Sequence, residues 1–228
     1  MIYVMSDIHG CYDKYKSMLE TIGFSEEDTL YILGDVMDRG PSGLKVLLDI
    51  ADRKNVVLLR GNHDQQATIL LSNLHLMAQD EMADKLAPIF RSWLSDGGNA
   101  TMNEFLTLTD EEQERVLLSV QKSLISKELT VNGKRFLLAH TVPEIDKLDD
   151  YENWTVDDFI MGEPDYEEVY FDDMIIITGH TPTGFIDSAC KGKIWKQNNH
   201  IAIDCGAVFG NPLGCLCLDT MEEFYVLK

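Results

Sequence analysis

Five short apolar runs in the chain each end in side chains able to bind a divalent cation. Ile2-Tyr3-Val4-Met5 is followed by Asp7-Ile8-His9-Gly10, Leu30 to Leu33 by Gly34-Asp35-Val36-Met37-Asp38-Arg39-Gly40, and Val56 to Leu59 by Gly61-Asn62-His63-Asp64. Later, Phe136 to Ala139 runs into His140, and Ile175 to Gly179 into His180-Thr181-Pro182. An isolated Asp at such a place is commonly a turn former, and an isolated core His commonly just hydrogen-bonded. Five runs that all end this way need another explanation. In an open α/β sheet the carboxyl ends of the strands converge on one crevice, where ligands bind. Convergence would bring Asp7, His9, Asp35, Asn62, His140 and His180 together. Oxygen and imidazole donors suit Mn, Fe, Zn or a similar ion rather than a thiolate site. The glycines beside them permit sharp turns and close backbone approach.

The elements that must position these residues follow from periodicity. The apolar runs read as strands, with helices predicted at about Asp13 to Ile22 and Pro41 to Arg53. Strand–helix–strand alternation implies a mostly parallel sheet covered by helices. Residues 65–128 have helical spacing interrupted at Gly97-Gly98 and read as an inserted helical cap, not a separate domain. Strands are expected again at Arg135 to Ala139, Met174 to Thr178, His200 to Asp204, Gly214 to Leu218 and Glu223 to Leu227. These later strands predict a second sheet stacked on the first. The fold class expected is α/β, with two stacked mixed sheets flanked by helices, in a single domain over residues 1–228.

Composition narrows the function classes. Apolar residues make up 45% and charged residues 25% of 228, as in an ordinary globular domain. The net charge of −20 argues against a broad nucleic-acid surface. Between Glu144 and Asp173 thirteen acids face one base, Lys147, a pattern read as a solvated face. No apolar run is long enough to span a membrane, no secretory leader is expected, and a cytoplasmic location follows. Cys11, Cys190, Cys205, Cys215 and Cys217 lack zinc-ribbon spacing and are expected as reduced thiols. Cys11, beside the first motif, is either a packed side chain or a redox-sensitive one.

The blocks Asp7-x-His9-Gly10, Gly34-Asp35-x-x-Asp38-Arg39-Gly40, Gly61-Asn62-His63-Asp64, His140 and Gly179-His180-Thr181 resemble the calcineurin-like metallophosphoesterase superfamily. Asp38-Arg39-Gly40 resembles its phosphoprotein phosphatase branch, which includes bacterial and phage serine/threonine phosphatases and symmetrical diadenosine tetraphosphate hydrolases. Trp93-Leu94, Gly97-Gly98 and Thr101 resemble the cap of bacterial members. The resemblance implies two divalent ions, Mn²⁺ first and Fe, Zn, Ni or Co as alternatives. Asp7, His9 and Asp35 would hold one ion. Asp35 would bridge to the second, completed by Asn62, His140 and His180, with a bridging hydroxide attacking phosphorus in line. His63 would protonate the leaving oxygen, Asp38 would orient its ring, and Arg39 would bind phosphate oxygens, with Arg60 a second candidate contact. An ordinary surface ion pair is the other reading of Arg60. Asp204-Cys205-Gly206 reads either as support for the metal histidines or as a plain turn.

The sequence departs from the family in four places. The second His that many superfamily members carry two residues beyond the position of His180 is missing, as in the phosphatase branch; Asp64 stands where the branch usually has Glu; and Thr141-Val142 follows His140 where Ala-Gly is common. The segment Phe159 to Pro164 offers Glu163 where relatives carry an arginine. The expected function is a metal-dependent phosphomonoester hydrolase, with a serine/threonine-type protein phosphatase placed first. A diadenosine tetraphosphate hydrolase and a weakly active metal-binding scaffold are the alternatives. The ordering rests on the acidic stretch, which would repel polyanions if it bordered the cleft. The expected partner is a phosphorylated protein or a small phosphoester.

Overall fold

The computed structural model describes residues 1–74 and 80–228. The five residues 75–79, inside the expected 65–128 insertion, lie outside the described residues. The first third folds as its periodicity predicts. Strands β1 (Ile2–Met5), β2 (Thr29–Leu33) and β3 (Val56–Leu59) alternate with helices α1 (Tyr12–Thr21) and α2 (Gly43–Ala51). The strands pair in parallel, Val4 with Tyr31 and Ile32 with Leu58. Parallel neighbours need crossover connections, and α1 and α2 supply them.

Helix α3 (Asn62–Ser72) starts directly at the end of β3. Helices α4 (Asp80–Trp93), α5 (Asn99–Phe105) and α6 (Asp110–Gln121) follow, with a wide turn at Leu94–Gly98 between α4 and α5. Helix α6 begins with a reciprocal cap. The Glu112 amide donates to Thr109 Oγ1 at 3.3 Å, and the Glu112 carboxylate accepts from the Thr109 amide at 2.9 Å, satisfying two otherwise unpaired donors.

A second sheet is built from β4 (Ser126–Val131), β5 (Lys134–Ala139), β6 (Met174–Thr178), β7 (Trp195–Gln197) and β8 (His200–Ala202), in the order β4-β5-β6-β8-β7. Two short helices, α7 (Val156–Met161) and α8 (Thr183–Ile186), lie in its connections. The last strands correct the expectation that everything after residue 130 forms the second sheet. Strands β9 (Leu213–Cys217) and β10 (Glu223–Val226) return to the first, giving β10-β9-β1-β2-β3, with β9 antiparallel to β1. Periodicity reports a strand's burial and not its sheet, so this return was not legible.

Side-chain alternation explains why the strands read as continuous apolar runs: each sheet is covered on both faces. Tyr3 and Met5 join the layer between the first sheet and helices α1 to α6, with Tyr15, Leu44, Ala67 and Trp93. Val4 points the other way, into the space between the sheets, with Leu33, Phe136, Leu138, Ile177 and Ile201. On the second sheet's outer face Leu137, Ala139 and Ile176 pack against Phe159, Tyr170 and Trp154. The acidic stretch is therefore a covering layer. Its apolar members face the sheet, and most of its acids point to solvent. Truncating fully buried Phe136 to Ala would cost about 3–5 kcal/mol.

Candidate metal and phosphoester site

The strand ends of both sheets meet at one edge of the sandwich, so the crevice is formed by two sheets and not by one open sheet. Asp7, His9, Asp35, Asp38, Arg39 and His180 all have positive φ, between 42° and 67°. Left-handed backbone is unfavourable for these residue types and persists only where surroundings hold it. Here it turns the chain sharply after β1, β2 and β6, aiming the side chains into the crevice. Backbone bonds fix these turns: the Asp7 amide donates to the Gly34 carbonyl at 3.1 Å and the His9 amide to the Asp35 carbonyl at 2.9 Å. A Cβ on Gly61 would fall on the Asp35 carboxylate, and one on Gly179 on Ser6 Oγ and Asp7. Close approach thus demands glycine at both positions.

Two groups of donor atoms gather there: His9, Asp35 and His63, and Asp35, His140 and His180, each within 4.8 Å of one another. Asp35 Oδ2 lies 3.6 Å from both His9 Nε2 and His140 Nε2. Asn62 Oδ1 is 2.9 Å from His140 Nε2 and 3.1 Å from His180 Nδ1, and the two imidazole nitrogens are 3.1 Å apart. His140 Nδ1 donates to the Leu33 carbonyl at 2.7 Å, so a neutral ring leaves Nε2 bare. Three acceptor atoms therefore converge with at most one proton among them, which is the geometry a cation relieves. His9 repeats the pattern, with Nδ1 donating to the Met37 carbonyl at 2.8 Å and Nε2 turned inward. Asp7 Oδ2 accepts from Ser6 Oγ, and from the His180 amide at 3.0 Å. The donor set fits hard or borderline divalent ions.

Burial governs the charges. It pulls the His9 and His180 imidazoles down to about 4 and lowers His140 as well, so all three rings are neutral at pH 7. Burial alone would raise Asp35, but the surrounding imidazoles, His140 foremost, outweigh it and hold the carboxyl below its ordinary range. Burial and the charges of Asp204 and Asp35 push Asp7 up. Asp64, pushed up to about 7 by burial and by Asp35, accepts from the Val36, Met37 and Gly61 amides at 3.0, 3.1 and 3.3 Å. It ties the Asp35 turn to the start of α3. The short Asp in place of Glu thus has a structural use that the sequence did not reveal.

His63, Asp38 and Arg39 form a second group beside the first. Asp38 Oδ2 accepts from His63 Nδ1 at 2.9 Å and from Trp93 Nε1 at 2.9 Å, and Asp38 Oδ1 accepts from Thr101 Oγ1 at 2.6 Å. Burial disfavours the His63 imidazolium, but the Asp38 hydrogen bond and the Asp35 charge outweigh it and raise the ring above its ordinary value. The Arg39 guanidinium spans the two groups, 2.7 Å from His9 Nε2 and 2.8 Å from His63 Nε2. Its amide is held by the Gly97 carbonyl at 3.0 Å. Asp96, exposed on the same turn, lies 3.7 Å from Arg39 and 3.8 Å from His63. An Asp-Gly pair signals a turn in sequence, but nothing in it signalled this contact.

Arg60 is placed elsewhere. Its guanidinium donates to the Val120 and Gln121 carbonyls at 3.0 Å each and to Ser123 Oγ at 3.2 Å. It holds the end of α6 and, among the described residues, pairs with no carboxylate. Asp204 makes a turn, accepting from the Gly206 amide at 2.7 Å, and its buried carboxyl rises to about 7. Cys11 is half-buried, and burial raises its thiol against a weaker pull from Lys14, which favours packing over redox sensitivity. All five cysteines are free. Glu163 is exposed. Among the described residues no helix is long and apolar enough to cross a membrane.

The chain is similar to known proteins in sequence and in fold. A symmetrical bis(5'-nucleosyl)-tetraphosphatase of Wigglesworthia glossinidia brevipalpis is 36% identical over 99 residues, 40% of this chain and 36% of that protein. Its namesake from Buchnera aphidicola is 34% identical over 125 residues, 51% of this chain and 42% of that protein. The matches thus span well under half of those relatives' own length. In fold, the chain is similar to a candidate diadenosine tetraphosphatase, with a TM-score of 0.67 and 16% identity, covering 99% of this chain and 92% of that one. It is also similar to a protein serine/threonine phosphatase from Saccharomyces cerevisiae, with a TM-score of 0.63 and 14% identity, covering 100% and 80%. The model of the calcineurin-like phosphoesterases matches residues 1–207, the stretch that holds every strand end of the crevice, and the chain belongs to that family.

Proposed function

We propose that the protein is a metal-dependent hydrolase that cleaves a phosphoanhydride bond of a dinucleoside polyphosphate, with symmetrical cleavage of diadenosine tetraphosphate by water into two nucleoside diphosphates as the leading reading. The observation that carries the hydrolase is the convergence of Asn62 Oδ1, His140 Nε2 and His180 Nδ1 within 3.1 Å of one another beside Asp35. Asp7, His9 and Asp35 would hold one divalent ion, and Asp35, Asn62, His140 and His180 a second. Such ions supply an activated water and neutralise charge on the transferred phosphoryl group. Arg39 would grip phosphate oxygens through its planar donors. With Arg39 turned from the ring to the phosphate, His63 would hold a proton at Nε2 for the leaving phosphate oxygen, with Asp38 fixing the ring. Trp93, Gly97 and Thr101 give the helical insertion its part in this, by holding Asp38 and Arg39.

For the substrate, two observations favour the dinucleotide over the phosphoprotein that the sequence placed first. The similar curated proteins carry the dinucleotide activity in their names. The acidic stretch, invoked against polyanions, lies on the outer face of the second sheet. Only Ile160 and Met161, at the end of α7, reach a cavity that also touches Asn62. A phosphopeptide reading keeps one argument: that cavity, about 390 Å³, carries exposed Ile69, Ile89 and Met161 beside Asn62 and Asp96. Turnover of diadenosine tetraphosphate, a phosphothreonine peptide and p-nitrophenyl phosphate, each with Mn²⁺ and with chelator, decides. Mn²⁺-dependent preference for the dinucleotide is expected. Preference for the peptide would reverse the order, and no turnover of any of the three would leave a metal-binding scaffold.

A further inference from the structure

A cavity of about 260 Å³ opens beside the centre, bounded by Pro182, Phe185, Lys191, Phe209 and Asn211. It begins two residues after His180. Its Phe209 ring carries the Arg39 guanidinium, whose carbon lies 5.7 Å from the ring centroid. Phe209 is 61% exposed and Phe185 83% exposed. Single exposed apolar side chains are ordinary. Two aromatics lining one cavity that adjoins an active-site arginine are not.

The loop that presents Phe209 is fixed. Lys14 Nζ donates to the Ala207 carbonyl at 2.8 Å and to the Asn211 carbonyl at 2.7 Å. Asn211 Nδ2 donates to the Gly206 carbonyl at 3.3 Å, and Gly206 and Gly210 adopt the left-handed conformations that the turn requires. An exposed ring on a pinned loop is pre-organised for a ligand and is not covering a core. The chemistry of the walls names the ligand. Faces for a flat ring stand next to Lys191 and Arg39, two cations in a chain of net charge −20. The matching molecule has a planar ring joined to phosphates.

We propose that the Phe185–Phe209 cavity is a nucleobase subsite, in which one base of a nucleotide substrate stacks while its phosphates run past Arg39 to the metal-directed residues. The proposal rests on the nucleotide reading of the neighbouring site. Stacking is tolerant of base identity, because every base offers a π face, so purine and pyrimidine nucleotides should both use the cavity.

The test uses the Mn²⁺-loaded protein and compares two ligands, a methylene-bridged diadenosine tetraphosphate and inorganic tetraphosphate, which lacks bases. Phe185 is the residue to change, since its exposure leaves little fold to disturb. F185A should lose about 5- to 100-fold in affinity for the bridged dinucleotide relative to tetraphosphate, and F185W should recover most of it. An equal loss for both ligands, or no loss, overturns the subsite. Wild-type turnover of diadenosine tetraphosphate is measured in parallel. Turnover with an unchanged affinity ratio in F185A sinks the subsite and keeps the proposed function. The expected loss of ratio without wild-type turnover keeps the base site and sinks the proposed function.

Discussion

The Asp35–His140–His180 group and the Asp38–His63–Arg39 group stand side by side but are held by different parts of the chain. The first hangs from the strand ends of both sheets, with His140 fixed by the Leu33 carbonyl, neighbouring His9 by the Met37 carbonyl, and the Asp35 turn by Asp64. The second leans on the helical insertion, through Trp93 Nε1, Thr101 Oγ1 and the Gly97 carbonyl. The candidate ion-binding group and the candidate proton-donating group thus have largely separate supports. A mutation in one should spare the other, and that separation can be broken.

The largest effect is expected for D35N, which removes the carboxylate shared by both donor groups. Turnover should fall on the order of 10⁴-fold or more, and bound metal, measured by elemental analysis, should fall with it. Full metal content in this variant would contradict the assignment of Asp35. H63N should keep its metal yet lose about 10²- to 10⁴-fold with an alkyl phosphate. With p-nitrophenyl phosphate, whose leaving group needs little protonation, the loss should be much smaller. Equal losses on both substrates would remove the proton-donor role. W93F deletes one buried donor to Asp38 and should cost on the order of tenfold in kcat with the metal retained. Loss of metal instead would show that the two supports are not separate.

His200 belongs to neither group and sharpens the contrast. It is fully buried on β8, with Thr178 Oγ1 at 2.8 Å from Nε2, and its Nδ1 has no partner among the described residues. Burial pulls its ring down to about 3 from 6.5. A base depressed in the folded state contributes full stability above its unfolded value and loses it as pH falls toward the folded one. Wild type should therefore lose about 1.4 kcal/mol per pH unit below 6.5 on this account alone. The stability gap to H200L, read from urea unfolding at pH 7, 6 and 5, should shift by about 0.7 kcal/mol over the first step, which straddles 6.5, and by about 1.2 kcal/mol over the second. A constant gap would contradict it.

The two groups also differ in how far they can be read from sequence. Asp7, His9, Asp35, Asn62, His140 and His180 are visible because each closes an apolar run, and a strand's end is a local property. That those ends come from two stacked sheets is a long-range fact. So is the return of β9 to β1, which no local period encodes. The supports of the second group were only half legible for the same reason: Trp93, Gly97 and Thr101 stood out by their resemblance to a cap, but nothing local said that the Trp93 N–H and the Thr101 hydroxyl meet Asp38. Arg60 shows the converse error. Its type suits phosphate and its neighbour Gly61 borders the site, but its side chain turns back to α6, a direction that residue type does not carry.

The pairing of Met5 with Cys215 in the first sheet bears on how the protein is made. Strand β1 leads directly into the first candidate ligands, Asp7 and His9, and lies between β2 and β9. A ribosome adding about 5–20 residues per second exposes β1 long before β9 exists. Until then β1 has an open edge of unpaired amides and carbonyls, the kind of surface that invites aggregation. Synthesis and assembly are thereby coupled in time. Variants that weaken β9 or β10 should lower soluble yield in cells out of proportion to any change in the activity of the protein that does fold.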